Sequence, residues 1–165
     1  MEDFSMHKGT VTCAIIVLSV CFSVKSEDTS PERQWAELDA QSREKLRDGH
    51  TSESAALAFK AASVSLKCEP LNLRGVRSRI IAAIAYVKAN QWKDAKESFQ
   101  SAERQLRQAG ALLTPEMAQT YAGLAKCAEH EGDTRTAEVL RRLERETRTA
   151  IRDDAQAALD DLDGK

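Results

Sequence analysis

Residues 83–102 read AIAYVKANQWKDAKESFQSA, and the rest of the chain falls into place around them. Before the Asn90-Gln91-Trp92 stretch, Val76, Ile80, Ala83, Ile84 and Val87 recur at spacings of three and four; after it, Ala95, Phe99, Ala102, Leu106 and Ala109 do the same. That spacing puts each set on one face of an α-helix. A turn this short between two such helices forces them to run antiparallel with their apolar faces together. Alanine at the meeting positions lets the backbones approach closely, and one phenylalanine per hairpin is left to fill a gap. The stretch predicts a helical hairpin.

The same punctuation recurs on either side. Ser30-Pro31 is a cap followed by a proline at the first helical position, where a missing N–H costs nothing, and that helix stops at Gly49. A second helix, ALAFKAASVSLK, begins near Ser52 and ends before Pro70; Asn72 caps the third, whose apolar face also carries Leu73 and Ile81. Gly110 ends the fourth, Thr114-Pro115-Glu116 starts the fifth, and Met117, Tyr121, Leu124, Ala125 and Ala128 give it one apolar face up to Gly132. Asp133 caps a sixth helix, with a stripe of Val139, Leu140, Leu143, Thr147 and Ile151 that Ala155, Ala158, Leu159 and Leu162 continue. No segment alternates with period two, and Ala, Glu, Lys, Leu and Arg supply 79 of 165 residues. The chain is expected to be all-α, with its helical domain over residues 31–162.

The hairpins look like copies of one unit. Ala55-x3-Phe59-x2-Ala62 recurs as Ala95-x3-Phe99-x2-Ala102, 40 residues on, while Asn90 and Gly132 each stand five residues ahead of an alanine, Ala95 and Ala137. At these residues the chain resembles the tetratricopeptide repeat, a helix-turn-helix unit with small residues at set positions. Ala83, Tyr86, Asn90, Ala95, Phe99 and Ala102 match one unit well; Tyr121, Leu124, Ala125, Gly132 and Ala137 match a second, in which Arg141 and Glu144 depart from the expected Phe and Ala. Ala55, Phe59 and Ala62 match half of another. The resemblance implies about three antiparallel hairpins stacked as an α-solenoid, with longer links than the family's around Pro70 and Ala111–Thr114. A six-helix bundle is the competing architecture.

The first 26 residues belong to something else. Val11–Val24 contains no charge but is only fourteen residues long, short of the roughly 20 that cross a bilayer. His7 and Lys8 precede it, and Val24-Lys25-Ser26 gives small residues ahead of Glu27, the pattern of a secretory signal peptide over residues 1–26 with a polar linker at 27–30. Left uncleaved, residues 11–24 would be a hydrophobic anchor. Leu18-Ser19-Val20-Cys21 resembles a lipobox, which would place a lipid on Cys21. The expectation is export to the periplasm or beyond, or attachment to a membrane. Cys68 and Cys127 remain after the leader and read as small buried hydrophobes, not a disulfide framework.

Little chemistry converges. His50 and His130 sit at helix ends as solvated residues, and Cys127-x2-His130 supplies two zinc ligands where four are wanted. Phosphate loops, GxSxG and HExxH are absent, so no enzyme, metal or cofactor is expected. Arg141, Arg145, Arg148 and Arg152 stand on one face of the last helix, but Glu138–Arg142 and Glu144–Arg148 read as i,i+4 ion pairs, and aspartates follow at once. With a net charge of −2 and no aromatic between the arginines, nucleic acid is not an expected partner.

The resemblance implies a groove for a partner's peptide along the first helix of each hairpin. It would offer Arg77, Ile80, Ile84 and Lys88, then Gln119, Ala122, Lys126 and Glu129. The basic members suit an acidic or carboxylate-bearing protein or peptide partner; the isoleucines suit an apolar side chain or pack inward. The expected role is therefore a non-catalytic scaffold for protein–protein interaction. The alternative is a self-associating bundle that dimerises through its C-terminal helix.

Overall fold

The computed structural model describes residues 30–68 and 73–163, with backbone alone for 161–163. The leader and Cys21, the linker residues 27–29, Pro70, the Asn72 cap and the side chain of Leu162 lie outside the described residues. Six helices follow one another: α1 Pro31–Arg47, α2 Thr51–Cys68, α3 Leu73–Lys88, α4 Trp92–Gln108, α5 Pro115–Glu131 and α6 Thr134–Asp163. Their ends obey the sequence signals. Ser30 and Thr114 each accept a hydrogen bond from a first-turn N–H (Arg33 at 3.4 Å, Met117 at 3.2 Å), and Asp133 Oδ1 accepts one from the Thr136 N–H at 3.0 Å.

The turns inside the three hairpins share one geometry, which also ends α4 at Gly110 (φ 67°), where the Ala111 N–H reaches back to Leu106 at 2.9 Å. Gly49, Asn90 and Gly132 all have positive φ (85°, 58° and 77°), the left-handed conformation that glycine takes freely and asparagine better than most. In each turn the next residue's N–H reaches back five places, His50 to Lys45, Gln91 to Tyr86 and Asp133 to Ala128, at 2.9 Å every time. These positions are 41 and 42 residues apart, which sets a register one residue away from the 40-residue spacing read at Phe59. The counterparts of Ala95, Phe99 and Ala102 are then Ser54, Ala58 and Ala61, all fully buried, while Phe59 is half-buried and tilts against Tyr86 at 5.9 Å between ring centroids.

In this register each hairpin carries two small residues twelve apart at equivalent places: Ser42 and Ser54, Ala83 and Ala95, and Ala125 and Ala137. All six are at most 4 % exposed. The serine pair exchanges hydrogen bonds, each hydroxyl donating to the other's carbonyl oxygen at 2.9 Å, so two polar groups are satisfied at a close helix crossing. Ala55, Ala62 and Ala102 are also buried, as are Tyr121 and Leu124.

Each helix packs on the next in sequence, and α3 also touches α1 and α5. Among the described residues no other pair of helices meets, so α1 and α2 never reach α5 or α6. Packing is thus dominated by helices that are neighbours in sequence. The main core lies where the second hairpin meets the third and contains Phe99, Leu106, Met117 and Cys127, each at most 2 % exposed. Burying a side chain the size of Phe99 contributes about 1.5–3 kcal/mol. Position 123 has no side chain, and the Phe99 ring end occupies that space: a Cβ there would fall 2.2 Å from Cζ. At the other end a polar chain ties α1 to α3. Trp35 Nε1 donates to Ser78 Oγ, whose hydroxyl donates to Asp39 Oδ1 (both 3.0 Å), and Arg43 Nε donates to Asp39 Oδ2 at 2.7 Å.

The last helix has one neighbour, and its stripe is narrower than its sequence suggests. Ala137 and Thr147 are buried and Leu140, Leu143 and Ile151 half-buried, but Val139, expected in the stripe, is 42 % exposed. Ala155 and Ala158 are exposed and Leu159 is 55 % exposed. Length explains this: α5 has 17 residues and α6 has 30, so antiparallel packing covers α6 only to about residue 150. Among the described residues no helix is long and apolar enough to cross a membrane.

Candidate functional site

A cleft of about 570 Å³ opens on the face shared by the odd-numbered helices. Its floor is α3, through Arg77, Ile80, Ile81, Ile84 and Lys88; one wall is α1, through Arg43, Leu46 and Arg47, and the other is the start of α5, through Pro115, Glu116 and Gln119. Ile84, Lys88 and Gln119 also border an adjoining pocket of about 240 Å³ that ends on Phe99, Ala122, Gly123 and Lys126. The two form one groove. Five of the six residues expected in it, Arg77, Ile80, Ile84, Lys88 and Gln119, line the cleft, and Lys126 lines the pocket.

Their roles differ from the expectation in three respects. Ile80 is 2 % exposed, so it supports the floor from below and leaves Ile84 as the apolar contact. Arg77 is held by Glu116, Nε to Oε1 at 2.6 Å, and Glu116 is only 9 % exposed. This pair clips α3 to α5 and removes Arg77 from the free cations. Glu129 faces α6 instead, where Arg141 takes its carboxylate at 3.2 Å.

Arg43, Leu46, Arg47 and Glu116 were not anticipated. The 41-residue register carries the signal for the α1 pair, because Arg43 and Arg47 stand 41 residues before Ile84 and Lys88. Arg43 is taken by Asp39. Arg47, Lys88 and Lys126 are exposed and, among the described residues, enter no ion pair. One cation from each of three hairpins therefore faces solvent along a groove with an apolar floor. The rim has a positive potential that Glu116, already neutralised, does not cancel.

The remaining sequence candidates do not converge. Cys127 is 1 % exposed, and burial pushes its thiol above the ordinary range, with the Glu131 charge adding to the effect. His130, expected to be a freely solvated helix end, stacks on the Trp92 ring with centroids 4.2 Å apart and planes 14° off parallel. Cys68 is half-buried, with its thiol donating to the Val64 carbonyl oxygen at 3.8 Å, and no disulfide joins it to Cys127. On α6, Arg148 pairs with Glu144 as expected, but Arg142 turns forward to Glu146 at 3.7 Å instead of back to Glu138. A depression of about 640 Å³ between α5 and α6 is bordered by Arg141, Arg142 and Arg145. Its cations are largely spent, Arg141 on Glu129 and Glu144 and Arg142 on Glu146. Charge thus distinguishes the groove from this larger surface.

No family model, curated protein or solved structure matches the chain.

Proposed function

We propose that this protein is a non-catalytic interaction module: stacked antiparallel hairpins of the tetratricopeptide kind, whose groove across α1, α3 and α5 receives an acidic segment of another polypeptide. The 41- and 42-residue spacing of Gly49, Asn90 and Gly132, and the buried small residues twelve apart that keep this register, support the repeat reading. The observation that carries the binding reading is the row of unpaired cations, Arg47, Lys88 and Lys126, beside Ile84 and the Phe99 pocket. Cations beside an apolar slot select a ligand with carboxylates around an aliphatic anchor. The uncharged run at residues 11–24 supports the further reading that the module works outside the cytoplasm or at a membrane surface, as a scaffold for other proteins.

Fluorescence anisotropy with two labelled synthetic peptides tests this: one of alternating aspartate and leucine, the other with lysine in place of each aspartate. The acidic peptide is expected to bind and the basic one not to. Replacing Arg47, Lys88 and Lys126 together by alanine removes three exposed contacts worth about 0.5–1 kcal/mol each, a weakening of roughly 10- to 150-fold. Arg77 is left intact because its loss would strand Glu116. Equal binding of both peptides, or affinity unchanged in the triple variant, refutes the proposal.

A further inference from the structure

The end of α6 carries two features that do nothing for α6 itself. Its last thirteen residues, about 20 Å of helix, outrun α5 in length, and α5 is the only described helix that α6 meets. On this overhang Ile151, Ala155, Ala158 and Leu159 share one face by register, and every residue from Arg152 to Asp160 is exposed. Aspartates at 153, 154, 160, 161 and 163 follow with no basic residue until Lys165. Acid in the last turn opposes the helix dipole, which favours cations there, so the charge does not serve helix stability. An acidic helix with an aliphatic stripe and no partner is the chemical complement of the groove.

We infer that the acidic end of α6 from one copy docks as a helix in the α1–α3–α5 groove of a second copy. This rests on the groove's reading given above. Leu159 enters the pocket over Phe99, while Asp154 and Asp160 meet the cations Arg47, Lys88 and Lys126. A helix laid into a groove between flanking helices is a common mode of recognition, and here the flanking walls supply the charge. The chain's own tail cannot serve, because α6 runs unbroken from Thr134 to Asp163, without Gly or Pro at which to fold back. Reciprocal exchange between two copies would close a dimer; one-way docking would build a longer assembly.

Light scattering on the full chain over a range of concentration and salt tests the inference. The mean mass is expected to exceed the 18.2 kDa of one chain at about 50 mM salt and to fall toward it near 1 M, where screening acts over about 3 Å. Arg47→Glu with Lys88→Glu, and separately Asp154→Lys with Asp160→Lys, should each abolish association. An equimolar mixture of the two should restore it, since the intact groove of the second meets the intact tail of the first. Association that survives the groove reversal, or a mixture that stays monomeric, overturns the inference. A monomeric wild type that still binds the acidic peptide overturns the second copy alone; one that binds neither overturns the groove's reading as well.

Discussion

Replacing Gly123 by alanine gives the sharpest test of how the second and third hairpins are joined. In an exposed helix this change stabilises by about 0.8–1 kcal/mol. Here the new Cβ would lie 2.2 Å from Cζ and 2.4 Å from both Cε atoms of Phe99, so the ring or the helix must retreat by about 1 Å. The ring is 2 % exposed and walled in, and overpacking of this kind costs about 1–3 kcal/mol. Gly123→Ala should therefore be destabilising or neutral, never stabilising. Phe99→Leu removes the three clashing atoms and by itself costs about 1–2 kcal/mol. Added to Phe99→Leu, the same Gly123→Ala should become stabilising by up to about 1 kcal/mol. The cycle then has a coupling energy of about 1–3 kcal/mol, well outside the ~0.5 kcal/mol within which independent sites add. Urea unfolding followed by circular dichroism resolves it, since 2 kcal/mol moves a midpoint by about 1 M at an m-value near 2 kcal/mol/M. Closure of the cycle within ~0.5 kcal/mol would refute the contact and the hairpin junction built on it.

Three further outcomes follow from polar contacts. Ser78→Ala should destabilise by about 1–3 kcal/mol in the same urea assay, because it leaves Asp39 Oδ1 and the Trp35 N–H without the buried hydroxyl on which they meet. Arg77→Ala should cost about 1 kcal/mol, discounted because the guanidinium is half-exposed, and Arg77→Ala with Glu116→Gln should recover part of it. Hydrogen bonds from Thr136 hold the Asp133 carboxyl below the usual aspartate range. Its contribution is present above the unfolded-state value and is lost as the pH falls through the lower folded-state value. Protection of the Thr136 amide against exchange, taken relative to the intrinsic rate at each pH, should fall with acid in that window, and Asp133→Asn should flatten the dependence.

How much of this could be read from the sequence depended on which features are local. Helix ends were legible because Ser30, Thr114 and Asp133 cap through contacts three residues away, and Gly49, Asn90 and Gly132 mark turns through their own backbone. The register of the first hairpin was not. Phe59 stands next to Ala58 and mimics the Ala-Phe-Ala spacing of Phe99, whereas the matching pair, Ser42 and Ser54, is polar and shows its role only when its mutual hydrogen bonds are seen. That one-residue difference hid Arg43 and Arg47 from the groove. Glu116 was missed because its partner lies 39 residues away, and the exposed overhang because a stripe in sequence does not say where its neighbour stops.

Titration of isotope-labelled protein with the acidic leucine peptide, followed by backbone amide shifts, bears most directly on the binding groove. The largest changes are expected at Arg47, Ile84, Lys88, Gln119 and Lys126, with α6 residues Arg141–Arg145 unmoved. Shifts centred on Arg141–Arg145, or none at millimolar peptide, would contradict the assignment of this groove as the working surface of the protein.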